Sequence, residues 1–457
     1  MKRAKRIYGL LGVLVVLLIA TLVVVQYKEK KEEIKNSGET ILKVDPEEVT
    51  SLSWTCDNGS FGFHKEENWI YDEDEAFPVK EEKIKALLSS WEDVKAAFVI
   101  ENVEDYGQYG LDDPECRISV KTDAKEYEIL LGDFSTMDSQ RYFSMGDGNV
   151  YLIADDPAED YEIELRDLIA QDEVPTMTDP AKIAFAGAKN HTITLEEKSE
   201  TYSEEDLYYT EQGGKKVALD PEKIDDYLQI LQNLDLTDYK TYKATEEDLK
   251  NYGLDEPELT VNVQYSKEED GKETEEKFQI AVGRDPKEAA STEEDEIIAY
   301  VRIGDSKLIY EITATEYKSL VKVSVDDLRH EEMFWADFDS IKEMEVTLDD
   351  QTYTITAEGK GEDRTFRCGE KEMEITDLKE ALTSLKASQF TKEEATGKEE
   401  IRLTIRLENE TVSQVTMAFY RCDGSKCLAT VDGAPTAYVS RSQVVDLVEA
   451  VNQIVLE

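Results

Sequence analysis

The sequence predicts an α+β protein in which one N-terminal transmembrane helix is followed by tandem units, each an antiparallel sheet packed on a helix. Three observations support this prediction. An apolar run lies close to the N-terminus, and apolar residues alternate like those of half-buried strands through most of the remaining chain. The third is a heptapeptide that occurs twice, as Tyr109–Glu115 and again as Tyr252–Glu258.

The N-terminal segment, residues 1–27, has the pattern of a membrane anchor. At about 1.5 Å per residue, the apolar run over residues 7–25 approaches the ~30 Å thickness of the hydrocarbon core. It lacks a small-x-small cleavage site, so the anchor is expected to stay uncleaved. The basic residues before it predict a cytoplasmic N-terminus, with residues 28–44 as a stalk and everything beyond outside the plasma membrane. That basic cluster consists of Lys2, Arg3, Lys5 and Arg6.

The rest of the chain predicts units at residues 45–171, 179–330 and 338–457. In the first two, a hairpin and an aromatic strand precede a helix with one apolar face, and a meander of alternating strands follows the heptapeptide. The helical faces are formed by Ile84, Leu88 and Trp91 in the first unit and by Ile224, Leu228 and Leu231 in the second. Each of these units closes in a short acidic-leucine-arginine segment, at residues 164–168 and 326–329.

We interpret the heptapeptide as a structural helix stop rather than a ligand site. A capping-box pattern precedes each copy, with Thr245 and Asp248 in the second and Asn102 and Asp105 in the first. The glycine then ends the helix in a left-handed conformation, the leucine packs back on the helix and the proline leads into a strand. The motif residues are Tyr109, Gly110, Leu111 and Pro114, and Tyr252, Gly253, Leu254 and Pro257.

The third unit follows the same plan in a divergent form. Leu378, Leu382 and Leu385 mark its helix, and apolar spacing over residues 444–455 predicts a final helix. At the motif position, Thr391 and Glu394 form a capping-box pattern and Gly397 is the expected stop. The leucine and proline of the motif are missing.

The charge of the chain limits its binding partners, and its cysteine content limits its disulfides. The formal net charge of −51 repels nucleic acid, and suits either solubility or the docking of a basic partner. The 5 cysteines are too scattered for a disulfide framework. Cys422 and Cys427 flank a predicted hairpin tip and are the candidate disulfide, provided that their strands are in register.

The sequence offers no recognisable catalytic or cofactor chemistry. We find no nucleophile with its base, no glycine-rich phosphate loop and no calcium loop at acceptable spacing. The 3 histidines, His64, His191 and His330, have no neighbouring Cys-x-x-Cys, so neither a metal site nor a cofactor is predicted. With 103 acidic residues, some carboxylates will always lie near one another, so a pair of the kind that glycosidases use is no evidence for that activity.

The repeated Tyr-Gly-Leu-Asp-x-Pro, the tyrosine-rich strand before Gly-Asp and the closing Asp-Leu-Arg resemble the bacterial family called domain of unknown function 4340. The resemblance covers residues 45–330. It implies tandem units behind a membrane anchor, and family members are often encoded beside ABC transporters of the gliding-motility or auxiliary-transport type. It implies no catalytic residues.

Two functional hypotheses follow. The first is a non-enzymatic, membrane-anchored extracytoplasmic binding or scaffold protein, an accessory of an ABC transporter or cell-envelope complex, with a permease or ATPase as partner. The alternative is an envelope carbohydrate-binding protein or hydrolase with an acidic site in a cleft between units.

Overall fold

The computed structural model describes residues 34–269, 271–287, 297–359 and 364–456. The predicted anchor over residues 7–25 lies outside these ranges. Within them, no helix combines the length and the apolar character that crossing a membrane requires. The chain divides into two compact units, of which one ends at Asp172 and the other begins at Glu173.

The protein is mostly antiparallel sheet, arranged as three sheets in tandem. The first sheet has nine strands in the order β1-β5-β9-β8-β7-β6-β2-β3-β4. These strands are Ile34–Leu42, Val49–Cys56, Gly59–Lys65, Trp69–Tyr71, Val94–Ile100, Cys116–Thr122, Glu126–Ser135, Gln140–Ser144 and Val150–Ile153, numbered β1 to β9 in chain order.

The second and third sheets belong to the compact unit that begins at Glu173, and they share one strand order. The second sheet comprises β10 to β18: Lys182–Gly187, His191–Leu195, Tyr208–Gln212, Lys215–Ala218, Tyr239–Thr241, Leu259–Glu269, Lys272–Arg284, Ala299–Ile303 and Ile309–Ile312. The third comprises β19 to β27: Ile341–Leu348, Gln351–Glu358, Thr365–Cys368, Lys371–Met373, Ala387–Phe390, Glu399–Leu407, Gln414–Arg421, Lys426–Val431 and Ala434–Ser440. Their orders, β13-β12-β11-β10-β15-β16-β17-β18-β14 and β22-β21-β20-β19-β24-β25-β26-β27-β23, correspond strand for strand.

Two helices accompany each sheet, where the sequence predicted one main helix for each of the first two units and two helices for the third. The first follows the hairpin strands and buries its apolar stripe; these helices are α1 (Glu81–Ser89), α3 (Pro221–Gln232) and α7 (Thr376–Thr383). The second follows the last meander strand, as α2 (Ala158–Tyr161), α5 (Ala314–Val321) and the C-terminal α8 (Arg441–Leu456). The second sheet is accompanied by two further short helices, α4 (Glu246–Asn251) and α6 (Val325–Leu328).

The predicted stalk over residues 28–44 is wrong for the part that the structure describes. Residues Ile34–Leu42 form the edge strand β1, which pairs antiparallel with β5. Strand β5 itself was not predicted, because it follows α1 directly and lacks clear alternation. Pairing along β5 makes this segment part of the first sheet rather than a spacer.

The second copy of the motif folds as predicted. The Thr245 side chain accepts a hydrogen bond from Asp248 N at the start of α4, and the Asp248 carboxylate accepts one from Thr245 N. Gly253 has φ +64°, and Leu254 N donates to Leu249 O at 2.7 Å. The helix therefore ends at a left-handed glycine with matched leucines.

The capping boxes predicted for the other two copies are wrong. In the first, Asn102 has φ +57° and the motif begins with a 3₁₀-helix at Gly107–Tyr109, whose Gly107 N donates to the Asp105 carboxylate. In the third, no helix forms at residues 391–396, and Thr391 Oγ1 accepts from Glu393 N. All three copies nevertheless keep the motif glycine, as Gly110, Gly253 and Gly397.

Each motif glycine lies against the backbone of a strand. A Cβ added at Gly253 would lie 2.2 Å from Arg284 O, and one at Gly283 would lie 2.2 Å from Gly253 O. In the third unit, a Cβ at Gly397 would lie 1.8 Å from Arg421 O. Such distances leave no room for a side chain, so glycine is required here by contact, and at Gly253 by its φ of +64° as well.

The motif covers one half of the outer face of its sheet, the face opposite the helices. Tyr109 and Leu111 form a cluster with Ile100, Val150 and Leu152, and the ring of Tyr109 lies 4.9 Å from that of Tyr142. Strand β9 is consequently buried at every position. In the second unit Leu254, Ala244, Tyr300 and Ile309 form the equivalent cluster.

The predicted pairing of Cys422 with Cys427 is wrong: both are free thiols, and the disulfide joins Cys56 to Cys116. Strand register explains the difference. Arg421 lies opposite Cys427, so Cys422 is one residue out of register and on the other face, where it is exposed while Cys427 is buried. Cys56 and Cys116 meet at the ends of the adjacent strands β2 and β6.

We expect Gly253→Ala to destabilise the protein more than Gly213→Ala. Both residues have positive φ, so each substitution incurs the left-handed penalty of about 1–2 kcal/mol. At Gly213 a Cβ meets nothing within 4 Å, whereas at Gly253 it clashes with Arg284 O. The extra loss should be about 2 kcal/mol in urea denaturation followed by circular dichroism. Equal losses would contradict the backbone contact.

Peptide mapping of the unreduced protein should link Cys56 to Cys116 and find Cys368, Cys422 and Cys427 as thiols. Because the bond closes a long loop, the double substitution Cys56→Ala/Cys116→Ala should destabilise the first unit by roughly 2–5 kcal/mol. Cys422→Ser serves as the control and should leave stability unchanged. A peptide linking Cys422 to Cys427 would refute this assignment.

Candidate functional site

A cluster of polar side chains lies where the second sheet meets the segment leading to the third. Its centre is Asp206, in the loop between β11 and β12, and His330, just after α6. The α6 segment is held by its capping box at Ser324 and by Asp220 N, which donates to Leu328 O at 3.0 Å. These backbone contacts fix the direction in which the chain continues to His330.

Asp206 is a fully buried carboxylate whose oxygens are all bonded by side chains. His330 Nε2 lies 2.8 Å from Oδ1, while Trp335 Nε1 donates to Oδ2 at 2.9 Å and Thr201 Oγ1 donates to Oδ2 at 2.5 Å. Burial opposes ionisation, but these hydrogen bonds outweigh it and hold the pKa of Asp206 below its ordinary value. Asp206 is thus a fixed negative charge that accepts three hydrogen bonds.

The imidazole of His330 is held in one orientation. Its ring stacks on Trp335 at 4.4 Å between centroids and 14° between planes. Because the Asp206 carboxylate can only accept, Nε2 carries the proton of that hydrogen bond. The other nitrogen, Nδ1, faces Asp220 Oδ2 at 3.7 Å. Ligand atoms of Asp220, His330 and Glu332 all lie within 4.8 Å of one another.

This cluster borders a cavity of about 400 Å³ between the second and third sheets. Aromatic and charged groups share its wall: Arg329 lies 4.0 Å above the ring of Phe390, and burial lowers the pKa of Arg329 against the opposing effect of Asp326. Glu332 is paired with Lys386 at 2.8 Å. The lining also includes Thr201, Lys216, Met333, Asp432 and Thr436.

A second kind of surface recurs on the first two sheets, on the half of the outer face that the motif leaves open. On the first sheet it is a concavity of about 720 Å³ with hydroxyl and charged residues, and on the second one of about 540 Å³. The lining includes Ser53, Thr55, Ser60, Arg117, Ser119, Glu126 and Glu128 in the first, and Thr192, Thr194, Glu196, Tyr209, Glu211 and Lys216 in the second.

Of the residues named from the sequence, His330 alone lies in this cluster, and no metal or catalytic role was predicted for it. The motif residues lie on the outer faces of the first two sheets, and Cys427 Sγ contacts Glu400 at 3.5 Å in the third. The sequence predicted a surface or packing position for His330, because no Cys-x-x-Cys accompanies the three histidines, and its partners in the fold lie far away along the chain. The available signal was Asp220-Pro221-Glu222, a helix-cap pattern, and the structure places the closing segment beside it through Asp220 N, which donates to Leu328 O.

Fold and site together define a tandem-repeat sheet protein with a polar cluster between its second and third sheets. The chain belongs to the family described as Domain of unknown function (DUF4340), whose profile matches residues 69–257 and again residues 212–404. The first match ends with the second copy of the motif, and the second reaches β24 of the third sheet. Comparison with curated proteins and with solved structures gives no match.

We expect Asp206→Asn to lower the free energy of unfolding by about 3 kcal/mol, because an amide has one acceptor oxygen where the carboxylate has two. When that oxygen accepts from Trp335 and Thr201, the amide NH2 lies against the Nε2–H of His330. Glu205→Gln, at the exposed neighbouring position, should change it little. Chemical denaturation followed by circular dichroism provides the measurement. A loss no larger than that of the control would show that the carboxylate is not required.

The difference in unfolding free energy between wild type and Asp206→Asn should depend on pH. Since the pKa of Asp206 is lowered on folding, the ionised carboxylate contributes its full stabilisation above its unfolded pKa of about 3.9. That contribution is lost as the pH falls through the lower folded pKa. The part of the stability difference between wild type and Asp206→Asn that comes from this carboxylate should therefore be complete above about pH 5 and shrink below it.

Proposed function

We propose that the protein is a non-enzymatic, membrane-anchored extracytoplasmic binding or scaffold protein that serves an ABC transporter or another cell-envelope complex. The observation that carries the proposal is the repeated open half of the outer sheet face on the first two sheets. Two concave surfaces of similar composition, each on a rigid sheet, suit the docking of another protein.

Two further features support an extracytoplasmic location. The Cys56–Cys116 disulfide is typical of proteins folded in an oxidising compartment. The apolar run over residues 7–25, with basic residues before it, favours an anchor with the bulk of the chain outside the plasma membrane. The family resemblance adds the expectation of a transporter permease or ATPase as partner.

The alternative, a carbohydrate-binding protein or hydrolase, draws on the cavity beside His330, whose lining includes the aromatic residues Trp335 and Phe390. Burial opposes the ionisation of Glu332, but the hydrogen bond from Lys386 outweighs it and lowers the pKa. A lowered pKa keeps the carboxylate ionised at neutral pH. Glycoside hydrolysis needs a general acid with a raised pKa, so this electrostatic environment favours binding over hydrolysis.

Site-specific photo-crosslinking in intact cells tests the scaffold proposal. A photoreactive amino acid at Thr55 or Glu211, on the open faces of the first and second sheets, should crosslink a membrane-protein partner that co-purifies in detergent. Lys85, exposed on α1 at the opposite side of the first sheet, is the matched control and should give little product. Equal crosslinking from Lys85, or no envelope partner from either face, would count against the proposal.

A further inference from the structure

The three side chains beside the cavity between the second and third sheets have the composition and spacing of a metal centre. Asp220, His330 and Glu332 each present one ligand atom within 4.8 Å of the others. A single imidazole with two carboxylates is a mixed nitrogen and oxygen set. Such a set suits first-row transition ions such as zinc, whereas calcium and magnesium prefer oxygen ligands alone.

The orientation of His330 is the observation that points to an ion. Buried Asp206 accepts the Nε2 proton at 2.8 Å, and the stack on Trp335 holds the ring plane. Neutral imidazole then has its lone pair on Nδ1, directed toward Asp220. A carboxylate that accepts the second N–H of a histidine is the usual outer partner of a metal-bound imidazole, which it orients and makes more basic.

Distances favour a bridging ion over a direct hydrogen bond. The 3.7 Å from His330 Nδ1 to Asp220 Oδ2 exceeds the hydrogen-bond range of about 2.7–3.2 Å. Two ligands at about 2.1 Å from one tetrahedral ion lie roughly 3.4–3.6 Å apart. The remaining adjustment falls to Glu332, whose side chain is 30% exposed and therefore freer to rotate than His330 at 11%.

The other hydrogen bonds of these residues are compatible with an ion. Asp220 Oδ1 accepts from Glu222 N at the start of α3, which leaves Oδ2 for coordination. Glu332 Oε1 pairs with Lys386, which leaves its second oxygen. Charge also favours a cation, because the carboxylates of Asp206, Asp220 and Glu332 surround one imidazole and one ammonium group, that of Lys386.

We propose that Asp220 Oδ2, His330 Nδ1 and the Glu332 carboxylate bind one divalent transition ion of the zinc class, with Asp206 as the positioning residue of His330. His330 and Glu332 line the cavity between the second and third sheets, from which water or an anionic ligand group can complete the shell. The three ligands do not line the docking faces proposed above, although Lys216 borders both the cavity and the open face of the second sheet.

Zinc titration of the full-length, chelator-treated protein by calorimetry tests the site, in buffer containing millimolar Mg²⁺ to occupy surface carboxylates. We expect one zinc per chain. Asp220→Asn and Glu332→Gln should each raise the dissociation constant for zinc tenfold or more. Asp206→Asn should weaken it by about 10–100-fold, as outer partners of ligands do. Cobalt in place of zinc should give a visible absorption band that His330→Gln removes.

The chain provides matched controls for both ligand variants. Asp45, followed like Asp220 by Pro and Glu, caps the 3₁₀-helix Pro46–Glu48 through the same hydrogen bond. Asp45→Asn therefore changes charge and cap equally without touching the cluster. Glu331→Gln removes a neighbouring carboxylate that pairs with Lys223. Both controls should bind zinc within twofold of wild type.

Asparagine and glutamine keep the shape of the carboxylates that they replace, so the ligand variants should fold. Circular dichroism without metal checks the folding of every variant. Binding of one zinc that both ligand variants weaken and both controls retain supports the site. Absence of stoichiometric binding to folded wild type, or binding that Asp220→Asn and Glu332→Gln leave unchanged, overturns it. Neither result bears on the docking faces, which the crosslinking experiment tests separately.

Discussion

A backbone-to-backbone contact that only glycine permits fixes the outer layer of the first two units. Gly253 and Gly283 meet so closely that a Cβ on either would overlap the other's main chain or that of its neighbour. In the first unit a Cβ at Gly132 would lie 2.2 Å from Tyr109 O. This contact places the motif leucine and tyrosine on the sheet, buries the last meander strands on both faces and leaves the other half of the face open.

The third unit shows which part of this arrangement is necessary. It has neither the motif helix nor its leucine, yet Gly397 approaches Arg421 O as closely as Gly253 approaches Arg284 O. Its strand order equals that of the second sheet. Close approach of the chain to the strand is therefore the shared constraint, and the helix stop is one way to reach it. A capping box could be replaced because it acts only within its own turn.

Sequence periodicity predicted the central strands and the main helices, and missed several short or irregular elements. Strands β13 and β22 are short, charged edges, and β5 lacks alternation because the motif cluster covers its outer face at Phe98 and Ile100. The wrong capping box at Asn102 has another cause. With 34% charged residues, short polar spacings of that kind arise by chance, so the pattern has little weight unless a helix follows.

The polar cluster was beyond sequence reasoning for a different reason, since its members meet only through the packing of the second sheet on the segment that leads to the third. In a chain of net charge −51, most carboxylates are solvated, but Asp206 is 1% exposed and is stabilised by donors alone. Its charge fixes the proton of His330 on Nε2 and so directs Nδ1 toward two more carboxylates. A histidine that only joined two sheets would need one such acceptor. Lys386 pairs with Oε1 of Glu332, so the charge of Asp220 and the second oxygen of Glu332 are what a bound cation would contact.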